Sequence, residues 1–314
     1  MLRVQVVWLG LIVFGSVTGC QSPTGPGAIG TGQVKIVATT SIIADAVKQV
    51  GGIHVDVKTL MPAGTDPHNY LPASGDSETL SSAHIVFFNG LHLEGKMTQL
   101  LEENRNVGTR SVAVSHKLDH KTDVRHVDGD TAEDPHIWFD VRIWMKCVEA
   151  IRDELTAIDP AHTAAYRTNT DRYLGELQAL DTEVRDKANK IPQGRRVLVT
   201  SHDAFGYFAR AYGFEVRGLQ GVSTSFTTST KDVEELANFI GQRGITAIFC
   251  ETSVRPKGLE KVLDTVKSQY NRDVSLVGGT DSLYSDSLGE PGTPGETYIG
   301  TVRHNIDTLV KHLK

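Results

Sequence analysis

The chain has 314 residues, of which 39% are hydrophobic and 22% are charged. It can therefore bury a sizeable core, and it is long enough for two domains of ordinary size. The formal net charge is −6 at pH 7, and the charged residues are spread without a basic stripe or a polyacidic tail. This distribution argues against nucleic acid as a partner and against attraction to an acidic membrane surface.

The first twenty residues have the pattern of an export signal. Arg3 precedes an apolar run from Val4 to Val17, and small residues then lead to Cys20. That ending resembles a lipobox, in which Cys20 is acylated and becomes the mature N-terminus. A short transmembrane anchor or a buried helix is the alternative, but the run is short and its flanks fit a signal peptide better. We expect residues 1–20 to be a lipoprotein signal peptide and the mature protein to be membrane-anchored, in the periplasm or on the cell surface.

Residues 21–32 form a tract rich in Gly, Pro, Ser and Thr. Such a tract has too few apolar side chains to offset its ordering entropy, so it predicts a flexible tether. Two further cysteines follow, Cys147 in a helix-like segment and Cys250 at the end of a strand-like one. We predict that both are buried free thiols and that they do not form a disulfide.

Strand-like and helix-like segments alternate after the tether. The apolar run from Val34 to Ala38 leads through Thr39-Thr40-Ser41 into an amphipathic stretch that reaches Val50, which predicts a strand and a capped helix. A strand over residues 53–61, helix-start residues over 74–83 and a buried strand over 84–88 follow in the same order. This alternation predicts a largely parallel sheet.

A second set of such segments begins after Gly194, with strands predicted over residues 196–200, 215–219, 245–250 and 274–277. Between the two sets, the pattern predicts one helix of about 45 Å over residues 161–190. The sequence thus divides into an N-terminal lobe (33–160), a linking helix (161–190) and a C-terminal lobe (191–314). A single helical connector resists hinge bending, so we do not expect large domain closure.

One tripeptide occurs twice in the first lobe, as Asp66-Pro67-His68 and as Asp134-Pro135-His136, each followed after one residue by an aromatic side chain. Proline fixes its own φ and biases the preceding residue toward an extended conformation, so each histidine is presented from a stiff turn. A neighbouring Asp or a backbone carbonyl could accept the other imidazole N–H and fix the tautomer. The repetition indicates a pair of metal ligands, whereas either histidine alone would more simply be structural.

The second lobe offers a histidine and a carboxylate at the ends of predicted strands. His202 directly follows the apolar strand 196–200, and Tyr284-Ser285-Asp286-Ser287 follows the last strand. The carboxyl ends of parallel strands are where such folds place ligands. Asp281 lies in the same segment as Asp286, and spacing alone does not choose between these two aspartates.

Three imidazoles and one carboxylate suit Zn²⁺, Mn²⁺ or Fe²⁺ better than Ca²⁺ or Mg²⁺, which prefer oxygen ligands. With these motifs, the chain resembles the metal-binding lipoproteins of ABC importers for zinc, manganese and iron, the ZnuA/TroA-like (cluster A-I) solute-binding family. The resemblance runs from the lipobox to the terminal helix. Its motifs are the lipobox, the two Asp-Pro-His sequences, Ser-His202-Asp-Ala-Phe-Gly-Tyr-Phe and Tyr-Ser-Asp286-Ser-Leu-Gly.

The resemblance implies an α/β fold with two Rossmann-like domains joined by one long backbone helix. It implies that His68, His136, His202 and Asp286 hold a metal in the interdomain cleft, and it selects Asp286 over Asp281. It also implies a membrane permease and a separate cytoplasmic ATPase as partners, and we expect a monomer. The ion is then cargo, and no catalytic residue or cofactor is expected.

Two features bear on the identity of the metal. Zinc-dedicated relatives often insert a long His-rich loop, but residues 116–130 hold only His116, His120 and His126 among several aspartates. We interpret this segment as a solvated loop, with a weak accessory metal site as the alternative. Manganese-dedicated relatives commonly have Glu where His202 stands, which favours zinc modestly. We expect Zn²⁺ or Mn²⁺, and Fe²⁺ less.

A zinc-dependent hydrolase is the main competing hypothesis, because three protein ligands and an open position would let zinc activate water. Asp203 or Glu251 would then be the base. A fourth protein ligand at Asp286 would close the coordination shell and argue against catalysis. A surface adhesin is a further alternative, but an adhesin has no need for four converging ligands.

The segment from Gly90 to Met97 nearly matches a phosphate-binding P-loop, but Met97 stands where Ser or Thr should contact Mg²⁺. This departure excludes a nucleotide site. Glu94 and Lys96 are interpreted as the start of a surface helix.

Overall fold

The computed structural model of the chain describes residues 32–106, 109–127 and 132–314. The predicted signal peptide, Cys20 and residues 21–31 of the predicted tether lie outside these ranges, as do Asp128 and Asp130 of the loop after His116. Within them, no helix combines the length and the apolar character needed to cross a membrane.

The first lobe is built on a four-stranded parallel sheet in the order β2-β1-β3-β4. Its strands are β1 (Val34–Thr40), β2 (Val55–Met61), β3 (Ile85–Phe88) and β4 (Arg110–Ala113), and its helices are α1 (Ser41–Gly51), α2 (Asp76–Ser81), α3 (Thr98–Asn106) and α4 (Val141–Ile158). Helix α1 begins where expected, because the Thr40 hydroxyl caps it by accepting from the backbone N–H of Ile43.

The second lobe contains two parallel strand pairs, β5 with β6 and β7 with β8. Its strands are β5 (Val197–His202), β6 (Glu215–Gln220), β7 (Ala247–Phe249) and β8 (Ser275–Val277). All strand pairs of both lobes are parallel, and helices cover them. The helices of this lobe are α6 (Gly206–Tyr212), α7 (Thr230–Arg243), α8 (Lys257–Tyr270) and α9 (Tyr298–Leu313).

The linking helix, α5, spans Thr163–Ala188. At 26 residues it is about 39 Å long. It is shorter than the predicted 161–190 because Pro160–His162 form a separate 3₁₀ turn and Asn189 ends the helix. Helix α5 packs on α1, α4 and α9. The α/β fold with mostly parallel sheets and one long helix is thus confirmed, whereas the division into lobes at 160 and 190 stays a prediction.

One hydrophobic core continues from the first lobe into the second. It includes Trp138 and Phe139 on one side and Phe205, Tyr207 and Tyr298 on the other. The rings of Phe139 and Phe205 pack with their centroids 4.4 Å apart. Burial of aromatic rings on both sides of the boundary fixes the lobes against each other along this side.

Several local predictions are confirmed and others are wrong. Cys147 and Cys250 are both free and buried, as predicted. The strand predicted from Ile53 starts only at Val55, since Gly52–His54 form a 3₁₀ turn. Strand β4 was not predicted, because its four residues include only two apolar ones.

The interpretation of Glu94 as a surface residue is wrong. Its side chain is buried and accepts from the Thr39 hydroxyl at 2.7 Å and from the Asn89 backbone N–H at 2.7 Å. The amide of Asn89 donates in turn to the main-chain oxygen of Pro135, next to His136. Burial raises the pKa of Glu94, although these donors oppose that shift. Glu94, in the segment that nearly matches a P-loop, therefore helps to hold Asn89, whose amide in turn contacts the chain next to His136.

Candidate metal centre

The four residues predicted as metal ligands come together at the boundary between the lobes. His68 lies in the loop after β2, His136 immediately precedes the 3₁₀ turn Ile137–Phe139, His202 is the last residue of β5, and Asp286 follows β8. Their relative exposures are 4%, 0%, 0% and 1% in that order. One ligand atom from each lies within 4.8 Å of the others.

The imidazole Nε2 atoms face the Asp286 carboxylate. His202 Nε2 lies 3.2 Å from Asp286 Oδ2, and His136 Nε2 lies 3.5 Å from Oδ1. His68 Nε2 lies 3.9 Å from Oδ2 and 3.3 Å from His136 Nε2. Four nitrogen and oxygen donors converging at these distances have the composition of a transition-metal site.

Asp286 carries the clearest sign that a cation fits here. Both of its carboxylate oxygens are buried, and the imidazole Nε2 atoms of three histidines face them. A buried carboxylate is costly unless a protonated partner or a cation compensates its charge. A divalent ion among the four donors would supply that compensation.

The two Asp-Pro-His sequences support their histidines differently. Asp134 Oδ1 lies 2.7 Å from His136 Nδ1, as expected for a carboxylate that fixes the imidazole tautomer, and its other oxygen accepts from Arg125 at 2.6 Å. Both aspartates accept from the backbone N–H of their histidine, Asp66 at 2.9 Å and Asp134 at 3.0 Å, but the hydrogen bonds of Asp66 do not include the His68 ring. The expected carboxylate–imidazole contact is therefore present in the second repeat and not in the first.

His202 has a buried carboxylate partner that the sequence analysis had considered only as a catalytic base. Glu251 Oε2 lies 2.6 Å from His202 Nδ1, and Oε1 accepts from the His202 backbone N–H at 3.0 Å. Glu251 follows the apolar strand β7, which lies beside β5. A carboxylate at the end of the strand next to a ligand was the signal available in the sequence.

The Asp286 loop of the second lobe is held by groups of the first lobe. From the first lobe, Trp138 Nε1 donates to the main-chain oxygen of Ser285 at 3.0 Å, and the backbone N–H of Gly64 donates to Ser287 Oγ at 2.9 Å. These contacts flank Asp286 on each side. The carboxylate of the second lobe is therefore positioned by the first.

The surroundings of the site shift the pKa values of His68 and His202 in opposite directions. Burial, with a smaller contribution from the neighbouring imidazoles, lowers the pKa of His68 to about 4 against the opposing charge of Asp286. For His202, burial alone would lower the pKa, but the adjacent carboxylates of Asp286 and Glu251 raise it well above the ordinary value. The pKa of Asp286 stays below its ordinary range because His202 and the other imidazoles outweigh its burial.

Other candidate residues lie outside the cluster. Asp281 is bound at the surface by Lys311 and His312, which agrees with the selection of Asp286. Asp203 faces Arg125 at 3.7 Å. His120 pairs with Glu133 and His116 with Glu154, and the described residues contain no second group of three or more potential ligands at comparable spacing.

Two α/β lobes, a long connecting helix and a buried donor cluster at their boundary define a solute-binding protein. The chain belongs to the ZnuA family, described as the periplasmic component A of the zinc-uptake complex, which matches residues 36–312. Family membership confirms the resemblance inferred from the sequence motifs.

Individual relatives cover nearly the whole chain. The zinc-binding protein TroA of Treponema pallidum is 43% identical over 306 residues, and the manganese-binding lipoprotein MntA of Bacillus subtilis is 40% identical over 301; the alignments cover 96% and 95%, respectively, of both chains. The structure of T. pallidum TroA superposes with a TM-score of 0.85 over 90% of this chain and 99% of its own, at 44% identity. Fe(III)-bound YtgA of Chlamydia trachomatis superposes with a TM-score of 0.80 over 90% and 98%, at 25% identity.

Proposed function

We propose that the chain captures a divalent transition metal, with His68, His136, His202 and Asp286 as its ligands, and delivers it to the permease of an ABC importer. The observation that carries this proposal is the buried cluster of four donor atoms within 4.8 Å, in which three imidazoles surround the Asp286 carboxylate. The metal is the cargo of the protein.

Zinc and manganese are the proposed cargo, with iron less favoured. The relatives are named for zinc, manganese and iron(III), so the fold accommodates different ions. The donor set of three imidazoles and one carboxylate is compatible with Zn²⁺ and Mn²⁺. Histidine at position 202 favours zinc modestly, and a direct comparison of the two ions is part of the test below.

A binding role is favoured over hydrolysis because both candidate general bases already interact with other groups. Glu251 is engaged with both His202 Nδ1 and the His202 backbone, and Asp203 faces Arg125. A carboxylate already occupied in orienting a ligand is poorly placed to accept a proton from water. With Asp286 as a fourth ligand, the donor set matches a closed shell that holds an ion without reacting.

The proposed setting is outside the cytoplasm. Family membership implies an ABC permease and an ATPase as partners. We further propose that Cys20 is acylated, that residues 21–32 tether the lobes to the membrane, and that the protein acts as a monomer.

Metal analysis of the purified chain without residues 1–20 tests the proposal. The wild-type chain is expected to carry close to one equivalent of metal, and His68→Ala is expected to lose it. His120→Ala is the matched control, because His120 lies on the surface away from the cluster and its loss should leave the metal content unchanged. The control also tests the accessory site considered for the loop after His116.

Thermal unfolding supplies a second measurement. Ligand at about 100 times its Kd stabilises a folded protein by about 2.7 kcal/mol, so Zn²⁺ or Mn²⁺ should raise the Tm of metal-free protein clearly. A chain that is purified without metal, and whose Tm does not change with either ion, would refute capture and leave the adhesin hypothesis in its place.

A further inference from the structure

Two hydroxyl side chains of the second lobe hold the loop that carries His68. Thr224 Oγ1 donates to Asp66 Oδ2 at 2.6 Å and accepts from Asn69 Nδ2 at 2.9 Å. Ser225 Oγ donates to the main-chain oxygen of His68 at 3.0 Å. We call these hydrogen bonds between the β6–α7 loop and the β2–α2 loop the clasp. The clasp thus holds Asp66 and Asn69, which lie on either side of His68 in the chain, and the main-chain oxygen of His68 itself.

The clasp is more polar and more exposed than the rest of the interface between the lobes. Elsewhere the lobes share the continuous apolar core, in which the Tyr298 hydroxyl donates to the main-chain oxygen of Trp138 and both residues are buried. At the clasp, Thr224 is half-buried and Ser225 is exposed, and the contacts are polar. Local opening has the lowest free-energy cost where few apolar contacts and exposed hydrogen bonds hold a structure together.

A cleft of about 460 Å³ runs beside the clasp. Asp66 and Asn69 line it from the first lobe, and Gln220, Thr224 and Thr228 line it from the second. The residues on either side of His68 therefore reach the cleft. Release of the clasp would open this side of the metal centre to solvent.

His68 is also the ligand with the weakest independent support. His136 and His202 each have a carboxylate against Nδ1, from Asp134 and Glu251 respectively. No carboxylate of the described ranges lies within ion-pair distance of His68 Nδ1, since the ion-pair contact of its ring is with Asp286 through Nε2. The position of His68 thus depends on its loop, and the loop depends on the clasp.

We propose that Thr224 and Ser225 are positioning residues that act through His68 and set the rate of metal exchange. When the clasp breaks, the β2–α2 loop moves and withdraws His68 Nε2 from the ion, while His136, His202 and Asp286 stay in place. The ion then has one open coordination position facing the cleft. This inference rests on the proposed function, because it assumes that the four residues bind metal.

Stopped-flow measurement of metal dissociation tests the clasp. Zn²⁺-loaded chain without residues 1–20 is mixed with excess chelator, and the release rate is compared for wild type, Thr224→Val and Ser225→Ala. Thr224→Val removes a hydrogen bond to a charged carboxylate, so release is expected to accelerate by about 10- to 100-fold. Ser225→Ala removes a neutral hydrogen bond and should accelerate release by about 2- to 10-fold.

Two further variants separate a positioning role from a general loss of structure. Thr224→Ser keeps the hydroxyl and should restore the wild-type rate. Thr228→Val makes the same chemical change at another residue of this loop that lines the cleft but is not part of the clasp, and should also release metal at the wild-type rate. The Co²⁺-loaded proteins should have the same visible absorption spectrum throughout, because the four ligands are unchanged.

The possible outcomes are distinct. Equal release rates for wild type and Thr224→Val, equal acceleration by Thr224→Val and Thr228→Val, or an altered Co²⁺ spectrum in Thr224→Val would each overturn the inference. If the wild-type chain itself binds no metal, the proposed function fails, and the clasp assignment fails with it. Wild-type binding with an unchanged release rate in Thr224→Val refutes the clasp alone.

Discussion

The position of His202 between two carboxylates predicts a specific pH dependence of metal binding. Glu251 lies 2.6 Å from His202 Nδ1 and Asp286 lies 3.2 Å from Nε2, and both carboxylates are buried. They raise the pKa of His202 against the opposing effect of burial. These carboxylates therefore favour the protonated form of His202 in the metal-free protein, and a metal that binds Nε2 must displace that proton.

The sign and size of the effect follow from this competition. Because the pKa of His202 is raised, protons still compete with the metal above neutral pH, and the apparent affinity should keep rising with pH there, by at most about tenfold per pH unit. An imidazole with an ordinary pKa of about 6.5 would change the affinity only about 1.3-fold over that interval. His68 adds nothing there, because burial lowers its pKa to about 4 and it is already neutral.

Isothermal titration calorimetry in buffers of different ionisation enthalpy measures the proton directly. We expect Zn²⁺ binding at about pH 7.5 to release protons, up to about one per ion, and more than an imidazole of ordinary pKa would release. Glu251→Gln should reduce that number, because one of the two carboxylates that raise the pKa of His202 is removed. Glu133→Gln, which changes a surface carboxylate paired with His120, should leave it unchanged. Binding without proton release, at an affinity that is flat between pH 7 and 8, would refute the reasoning.

Three substitutions test the supports of the site and of the fold. Asp134→Asn should weaken metal binding by about 10- to 100-fold in chelator competition, since it removes the carboxylate that orients His136; an unchanged Kd would contradict this role. Asp181→Ala should lower the free energy of unfolding by about 2 kcal/mol in urea titrations, because the buried carboxylate binds two partly exposed arginines. These arginines lower its pKa against the effect of burial, so its contribution is present above the unfolded pKa of about 3.9 and lost at lower pH, where the two proteins should converge. Gly218→Ala places a Cβ 2.3 Å from the backbone nitrogen of Asp203 and should lower the free energy of unfolding by about 1–3 kcal/mol in urea titrations. An unchanged free energy of unfolding would show that the strand can shift without a loss of stability.

Much of the fold could be predicted because hydrophobic periodicity and strand–helix alternation are strong local signals. Seven of the strands have predicted counterparts, and the linking helix lies within the predicted range. The exception, β4, pairs with β3 through four residues of mixed character, so its identity is set by tertiary pairing and not by its own sequence.

The convergence of the four proposed ligands was predictable to different extents for physical reasons. His68 and His136 share a local motif, and His202 ends a recognisable strand. Asp286 could be separated from Asp281 only through the family resemblance, since the spacing that distinguishes them depends on how the chain returns to the cleft. Glu94 was misread because its burial arises from the contacts with Thr39 and Asn89, which lie in other segments.

The order of the ligands along the chain has a consequence for when the cargo is acquired. His68 is the first and Asp286 the last, and Asp286 is reached only after more than nine-tenths of the chain. If the chain crosses a membrane unfolded and N-terminal part first, as the proposed signal peptide implies, the four proposed ligands are not all outside until its final helix is emerging. Under that proposal, its first high-affinity encounter with an ion would draw on the medium outside the membrane and not on the metal pool of the compartment in which the chain was synthesised.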